Sequence, residues 1–142
     1  SFNARLEEFT QYMIEVHQAT IDYLKTDKYL ILSAPIIDRD GTTADIFKPL
    51  YARMQQKFGS KYINVVDYLI RYGIVDAELG SSKWDAQEAQ DVQDYKIPYR
   101  LRGEDYDDKG NSTHSNVHLS ANGYGVVARQ VYQRGQMLGY WK

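Results

Sequence analysis

The run Tyr29-Leu-Ile-Leu-Ser-Ala-Pro-Ile-Ile37 constrains the fold more than any other segment of this chain. It is almost wholly apolar yet far short of the ~20 residues that span a bilayer, so it must be buried within protein. An unbroken apolar run of this kind reads as a strand covered on both faces, as in a parallel sheet. Upstream, Phe2, Leu6, Phe9, Met13, Val16, Thr20 and Leu24 recur at helical spacing. They predict one long amphipathic helix with that face turned to the core. Downstream, a polar loop over 38–43 leads to a second helix, with Ile46, Leu50, Met54 and Phe58 inward and Gly59 as its stop. Tyr62 to Val66 reads as a second short strand closed by Asp67. The order helix, strand, helix, strand predicts an α/β architecture with a parallel sheet.

Beyond Asp67 the pattern weakens. Short helices are expected around Ile70 and from Asp85 to Val92, and the stretch from Tyr95 to Asp108 is irregular. A last helix should begin near Ser120, a favourable N-cap, and carry Val126, Val127, Val131 and Leu138. There is no repeat, low-complexity tract or linker, so residues 1–142 read as one domain. A net charge of -2 and a pI near 5.9 predict neither nucleic acid nor an anionic membrane as partner. No run is long enough to cross a bilayer, no signal peptide is expected ahead of Phe2, and the absence of cysteine excludes disulfides. The compartment is left open, and an extracellular or surface-associated one is compatible with these features. The 13 tyrosines stand out. Tyrosine pairs an apolar face with a hydroxyl and suits sugar binding and subunit contacts, although partial burial in a core is its commoner use.

The most informative segment for chemistry is Ser115-Asn-Val-His-Leu-Ser-Ala-Asn-Gly-Tyr124. His118 stands in a polar turn immediately before a helix start, which would hold an imidazole at the mouth of a loop. The segment resembles the last conserved block of the SGNH (GDSL-like) hydrolases, usually Asp-x-x-His-Leu/Pro-x-x-x-Gly-Tyr. His118, Leu119, Gly123 and Tyr124 match, and Ser115 stands where that family has aspartate. The order of elements is also similar to the second half of such an enzyme.

That resemblance implies the C-terminal part of a three-layer α/β/α SGNH-like parallel sheet, with the nucleophile and oxyanion blocks outside this chain. No Gly-Asp-Ser turn or Gly-x-Asn-Asp segment is present, and Ser1 and Asn3 open a helix instead. It further implies ester hydrolysis, with O-acetyl groups on carbohydrate as the substrate class and His118 as general base. Ser115, or a main-chain carbonyl, would orient the imidazole in place of the carboxylate. No cofactor and no metal are implied. The partners implied are an acyl-ester or carbohydrate substrate and the remainder of the same protein or another chain, and a homo-oligomer is compatible with the reading. The alternative is a non-catalytic carbohydrate-binding or assembly module of a larger surface or fibre protein.

Other constellations are weaker. His114 and His118 are four apart with Asp105, Asp107 and Asp108 upstream, but the segment reads as a loop, so the two imidazoles do not share a helical face. Asp105-x-Asp107-x-Lys109-Gly110 resembles the start of a calcium loop. Lys109 and Asn116 fall where that loop needs ligands, which argues against it. Lys96, Arg100 and Arg102, interleaved with Tyr95 and Tyr99, could meet an anionic sugar, and the preferred reading is a solvated strand edge. His17 reads as structural, and Trp141 as closing either the core or an interface.

Overall fold

The computed structural model describes residues 1–34, 44–104, 106–111 and 118–141. Helix α1 (Phe2–Leu24) starts where the Ser1 hydroxyl accepts from the Ala4 amide and stops at Lys25, which is left-handed at φ 51°. Strand β1 (Ile31–Leu32) follows, and the chain crosses through helix α2 (Lys48–Phe58) to strand β2 (Tyr62–Ile63). The two strands are parallel, with Ile31 opposite Tyr62 and Leu32 opposite Ile63. Helices α3 (Val65–Asp76), α4 (Asp85–Gln93) and α5 (Ala121–Met137) complete the body, with a 3₁₀ turn at Tyr99–Leu101 between the last two.

This corrects the expected fold class. The described chain is predominantly helical with one two-stranded sheet, and a three-layer α/β/α parallel sheet is not what it forms. Two local causes are visible. Among the described residues the apolar run supplies two strand residues, and Leu32 is 38% exposed, so the strand is not covered on both faces there. In the second expected strand, the Asn64 side chain accepts from the Asp67 amide and caps a helix. Val65 and Val66 therefore enter α3 instead of extending β2.

The face expected of α1 is corrected as well. Leu6, Thr10 and Ile14 are buried, whereas Phe2, Phe9, Val16 and Leu24 are exposed. In α2 the buried residues are Tyr51, Met54 and Phe58, and Gly59 ends the helix as expected, at φ 57°. Two apolar clusters result. Ile14, Ile31, Met54, Phe58 and Tyr62 join α1, α2 and the sheet. Val66, Leu69, Ile70, Ile97, Leu101, Leu119 and Val126 join α3, the 3₁₀ turn and α5. Full burial of a side chain such as Leu101 contributes about 1.5–3 kcal/mol. The terminal segment folds back onto the sheet, where the Tyr140 hydroxyl donates to the Asp27 or Tyr29 carbonyl and accepts from the Tyr29 amide at 3.2 Å. Trp141 lies flat over Gly135 and donates its indole N–H to the Tyr132 carbonyl at 3.0 Å. It closes the end of α5 within the chain.

Candidate functional site

The turn before α5 is assembled from three segments. Helix α4 carries two buried carboxylates, Glu88 and Asp91, on the side facing residues 99–103. Glu88 accepts from Arg100 Nε at 2.9 Å and Nη2 at 2.6 Å, and its second oxygen accepts the Arg100 amide at 3.2 Å. Asp91 accepts from Arg102 Nη2 at 3.1 Å and from Gln87 Nε2 at 2.9 Å. Both carboxylates are charged groups taken out of water, and each is matched by a guanidinium, the arrangement that makes such burial tolerable. The 99–103 strap is thereby held to α4 at two adjacent points.

The strap in turn holds the histidine segment. Gly103 donates its amide to the His118 carbonyl at 2.7 Å, and Ser120 donates its own to the Leu101 carbonyl at 2.9 Å. Arg102 and Leu119 form an antiparallel bridge. Ser120 caps α5 by accepting from the Gly123 amide at 3.2 Å, while its hydroxyl donates to the Arg100 carbonyl at 2.7 Å. Gly123 is packed so closely on the strap that a Cβ there would overlap the Leu101 carbonyl oxygen. Leu119 is buried in the core beside Leu101 and Val126. In the motif shared with the SGNH block, Leu119 and Gly123 thus serve packing, and Ser120 fixes the helix start.

His118 is exposed, with its backbone pinned by Gly103. Next to it in the chain, Leu119 and Ser120 line a surface groove of about 430 Å³ together with Arg100, Gly103, Glu104 and Asn122. A backbone held by core contacts and a side chain at the surface is the geometry a proton-transferring imidazole needs. Ser115 and His114 lie outside the described residues, as does Asp105. Tyr124, the last residue of the motif, is exposed on α5.

The basic stretch is corrected. Arg100 and Arg102 are neither a solvated edge nor a sugar contact, because their guanidinium groups are spent on Glu88 and Asp91. Tyr99 stacks on Trp84 at 4.3 Å between centroids. The acidic loop closes on itself: Asp107 accepts from the Lys109 and Asn111 amides, both at 2.9 Å, and from Asn111 Nδ2 at 3.1 Å. Those donors, Asn111 first, hold its carboxyl below the usual carboxylate range. Among the described residues no three His, Cys, Asp or Glu side chains converge on one point. His17 sits within α1, its Nδ1 2.7 Å from the Met13 carbonyl and its ring beside Phe58.

Sequence reasoning missed Glu88 and Asp91. Their only signal was a three-residue spacing that puts both on one face of a short, otherwise polar helix. No family model, curated protein or solved structure matches this chain.

Proposed function

We propose that this chain supplies the histidine of a serine ester hydrolase that removes O-acetyl groups from carbohydrate. His118 is the general base. It takes the proton of an attacking serine hydroxyl and returns it to the departing sugar alkoxide, while the acyl group passes first to serine and then to water. The serine and the oxyanion donors come from outside these 142 residues, which contain neither block. Ser115, or a main-chain carbonyl, orients the ring.

The observation that carries the reading is that the strap holds the His118 carbonyl through the Gly103 amide and the nearby Ser120 cap through Arg100, while His118 itself is exposed. This reading rests on the loop-to-helix unit and needs no large sheet. A second reading, a non-catalytic carbohydrate-binding or assembly module, is favoured by the missing nucleophile and by the exposed Phe2, Phe9, Val16 and Tyr23 along α1.

The test is hydrolysis of a small acetyl ester by the intact protein that carries these residues. His118→Ala should cost a factor of ~10²–10⁴, and Ser115→Ala should retain most of the activity. Equal rates for wild type and His118→Ala would overturn the enzymatic reading and leave the binding module.

A further inference from the structure

Helix α1 carries a second apolar row that lies outside the core. Phe2, Phe9, Val16 and Tyr23 recur every seven residues, and Arg5, Tyr12 and Ala19 fall three residues after the first three of them. These are the a and d positions of a heptad, the pattern of a helix that pairs with another helix. All seven residues are exposed, while Leu6, Thr10 and Ile14 face the core. The seam is about three heptads long, roughly 32 Å of helix.

The two sides of the seam differ. One side opens on apolar hollows between α1 and the β1 segment: Phe9 and Leu32 border one of about 170 Å³, and Val16 and Ile31 one of about 350 Å³. Such hollows suit the side chains that a packed helix inserts as knobs. The other side is acidic. Glu8, Glu15 and Asp22 occupy its flanking g positions, exposed and in one row. Gln11 donates to Glu15 at 3.1 Å and Gln18 to Asp22 at 2.9 Å, and none of the three acids pairs with a cation among the described residues. Other acids of the chain are equally without a cation; what sets these apart is their common row beside an apolar seam. A second copy of the chain does not match that row. In an antiparallel pair of α1 helices the g rows face each other, acid on acid. In a parallel pair each g row faces the e row, Leu6, Met13 and Thr20, which holds no cation.

We infer that α1 docks an amphipathic helix with a basic flank, supplied by a partner other than a second copy. The apolar face of that helix covers Phe9, Tyr12, Val16 and Tyr23, and its lysines or arginines meet Glu8, Glu15 and Asp22. Charge here chooses the partner, and the apolar seam supplies most of the affinity. The inference gives a chemistry to the face on which the assembly reading rests. It is independent of catalysis at His118, since a chain with or without esterase activity would bind the helix equally well.

The probe is a synthetic helical peptide of about 21 residues with Leu at a and d and Lys at e and g, and its control carries Glu in place of Lys. Fluorescence anisotropy with the full chain at about 0.15 M salt gives affinity, and amide NMR of the chain maps the contact. The expected result is saturable binding of the basic peptide, shifts confined to α1 and the β1 segment, and about ten-fold weaker binding of the acidic control. Reversing the row, by Glu8→Lys, Glu15→Lys and Asp22→Lys together, should invert that preference. Phe9→Ser should weaken binding about ten-fold, and Tyr23→Ser, at a position 84% exposed, about three-fold. No saturable binding, equal affinity for the two peptides, shifts away from α1, or a preference unchanged by the charge reversal would each overturn the inference. A concentration-dependent dimer in sedimentation that Tyr23→Ser dissolves would also overturn it and assign the seam to a second copy. If Phe9→Ser fails to fold, wild-type affinity in Tyr23→Ser overturns the inference by itself.

Discussion

Substituting Gly123 by alanine tests the central claim that α5 begins where it does because it is pressed onto the strap. A Cβ at this position would overlap the Leu101 carbonyl oxygen and lie 3.0 Å from the Leu119 Cβ and 3.3 Å from the Leu101 carbonyl carbon. The obstruction is backbone, so no rotamer change relieves it, and the helix start and the strap must separate. Separation strains the Ser120 amide bond to that same carbonyl and the Ser120 hydroxyl bond to Arg100. Overpacking costs about 1–3 kcal/mol, and a weakened hydrogen bond about 1 more. Alanine returns about 1 kcal/mol through its better helix propensity, so the net loss is about 1–3 kcal/mol. In a chain of this size that lowers the melting temperature by about 3–10 °C. Gly125 is the control on the same helix. Its nearest obstruction is Arg129 Nη1 at 3.5 Å, an ordinary contact. Gly125→Ala should therefore stabilise, by about 0.5–1 kcal/mol. The assay is thermal and urea unfolding of both variants. Shifts of the same sign, or an unaffected Gly123→Ala, would refute the packing account.

Ser120→Ala removes both the helix cap and the bond to the Arg100 carbonyl, and should cost about 1–2 kcal/mol in urea unfolding. Glu88→Ala leaves Arg100 without its buried partner and should cost about 3 kcal/mol, and a further Arg100→Met change should recover part of that loss. Burial pushes the Tyr62 hydroxyl up to about 12 from an ordinary 10.0, with the nearby Ser33 hydroxyl acting in the opposite direction. A raised folded value means that Tyr62's contribution is complete below pH 10 and is lost as pH rises toward 12. Stability measured across that window should fall less steeply for Tyr62→Phe than for wild type.

The helices were legible in the sequence to the extent that their signals were local. Periodicity alone delimits α1, and capping residues mark the C-terminal end of α2 and the start of α5. Which face of α1 points inward was not legible. Phe2, Phe9, Val16 and Tyr23 recur at seven-residue spacing, while the buried row Leu6, Thr10 and Ile14 recurs at four. Both rows are valid stripes on a helix, and the more apolar one lies outside. Thr10 joins the buried row because its hydroxyl donates to the Leu6 carbonyl at 2.7 Å, which makes it effectively apolar toward α2. The sheet was overestimated for a related reason. Apolar content says that a segment is buried and does not say how many residues pair, and at Asn64 a helix cap competed with strand continuation and won.

The helix start just after His118 was legible because an N-cap serine is followed three residues on by a glycine, and the Ser120 hydroxyl accepts from the Gly123 amide. The strap was not, because its stability comes from pairs between Glu88 and Arg100 and between Asp91 and Arg102. They are separated by 12 and 11 residues, beyond any helical or strand period. In the sequence those arginines look available for a ligand. In the fold they are occupied by buried carboxylates of α4. Pairing therefore assigns these two arginines to the scaffold. Arginine, with a planar fork suited to paired contacts, holds the strap in place.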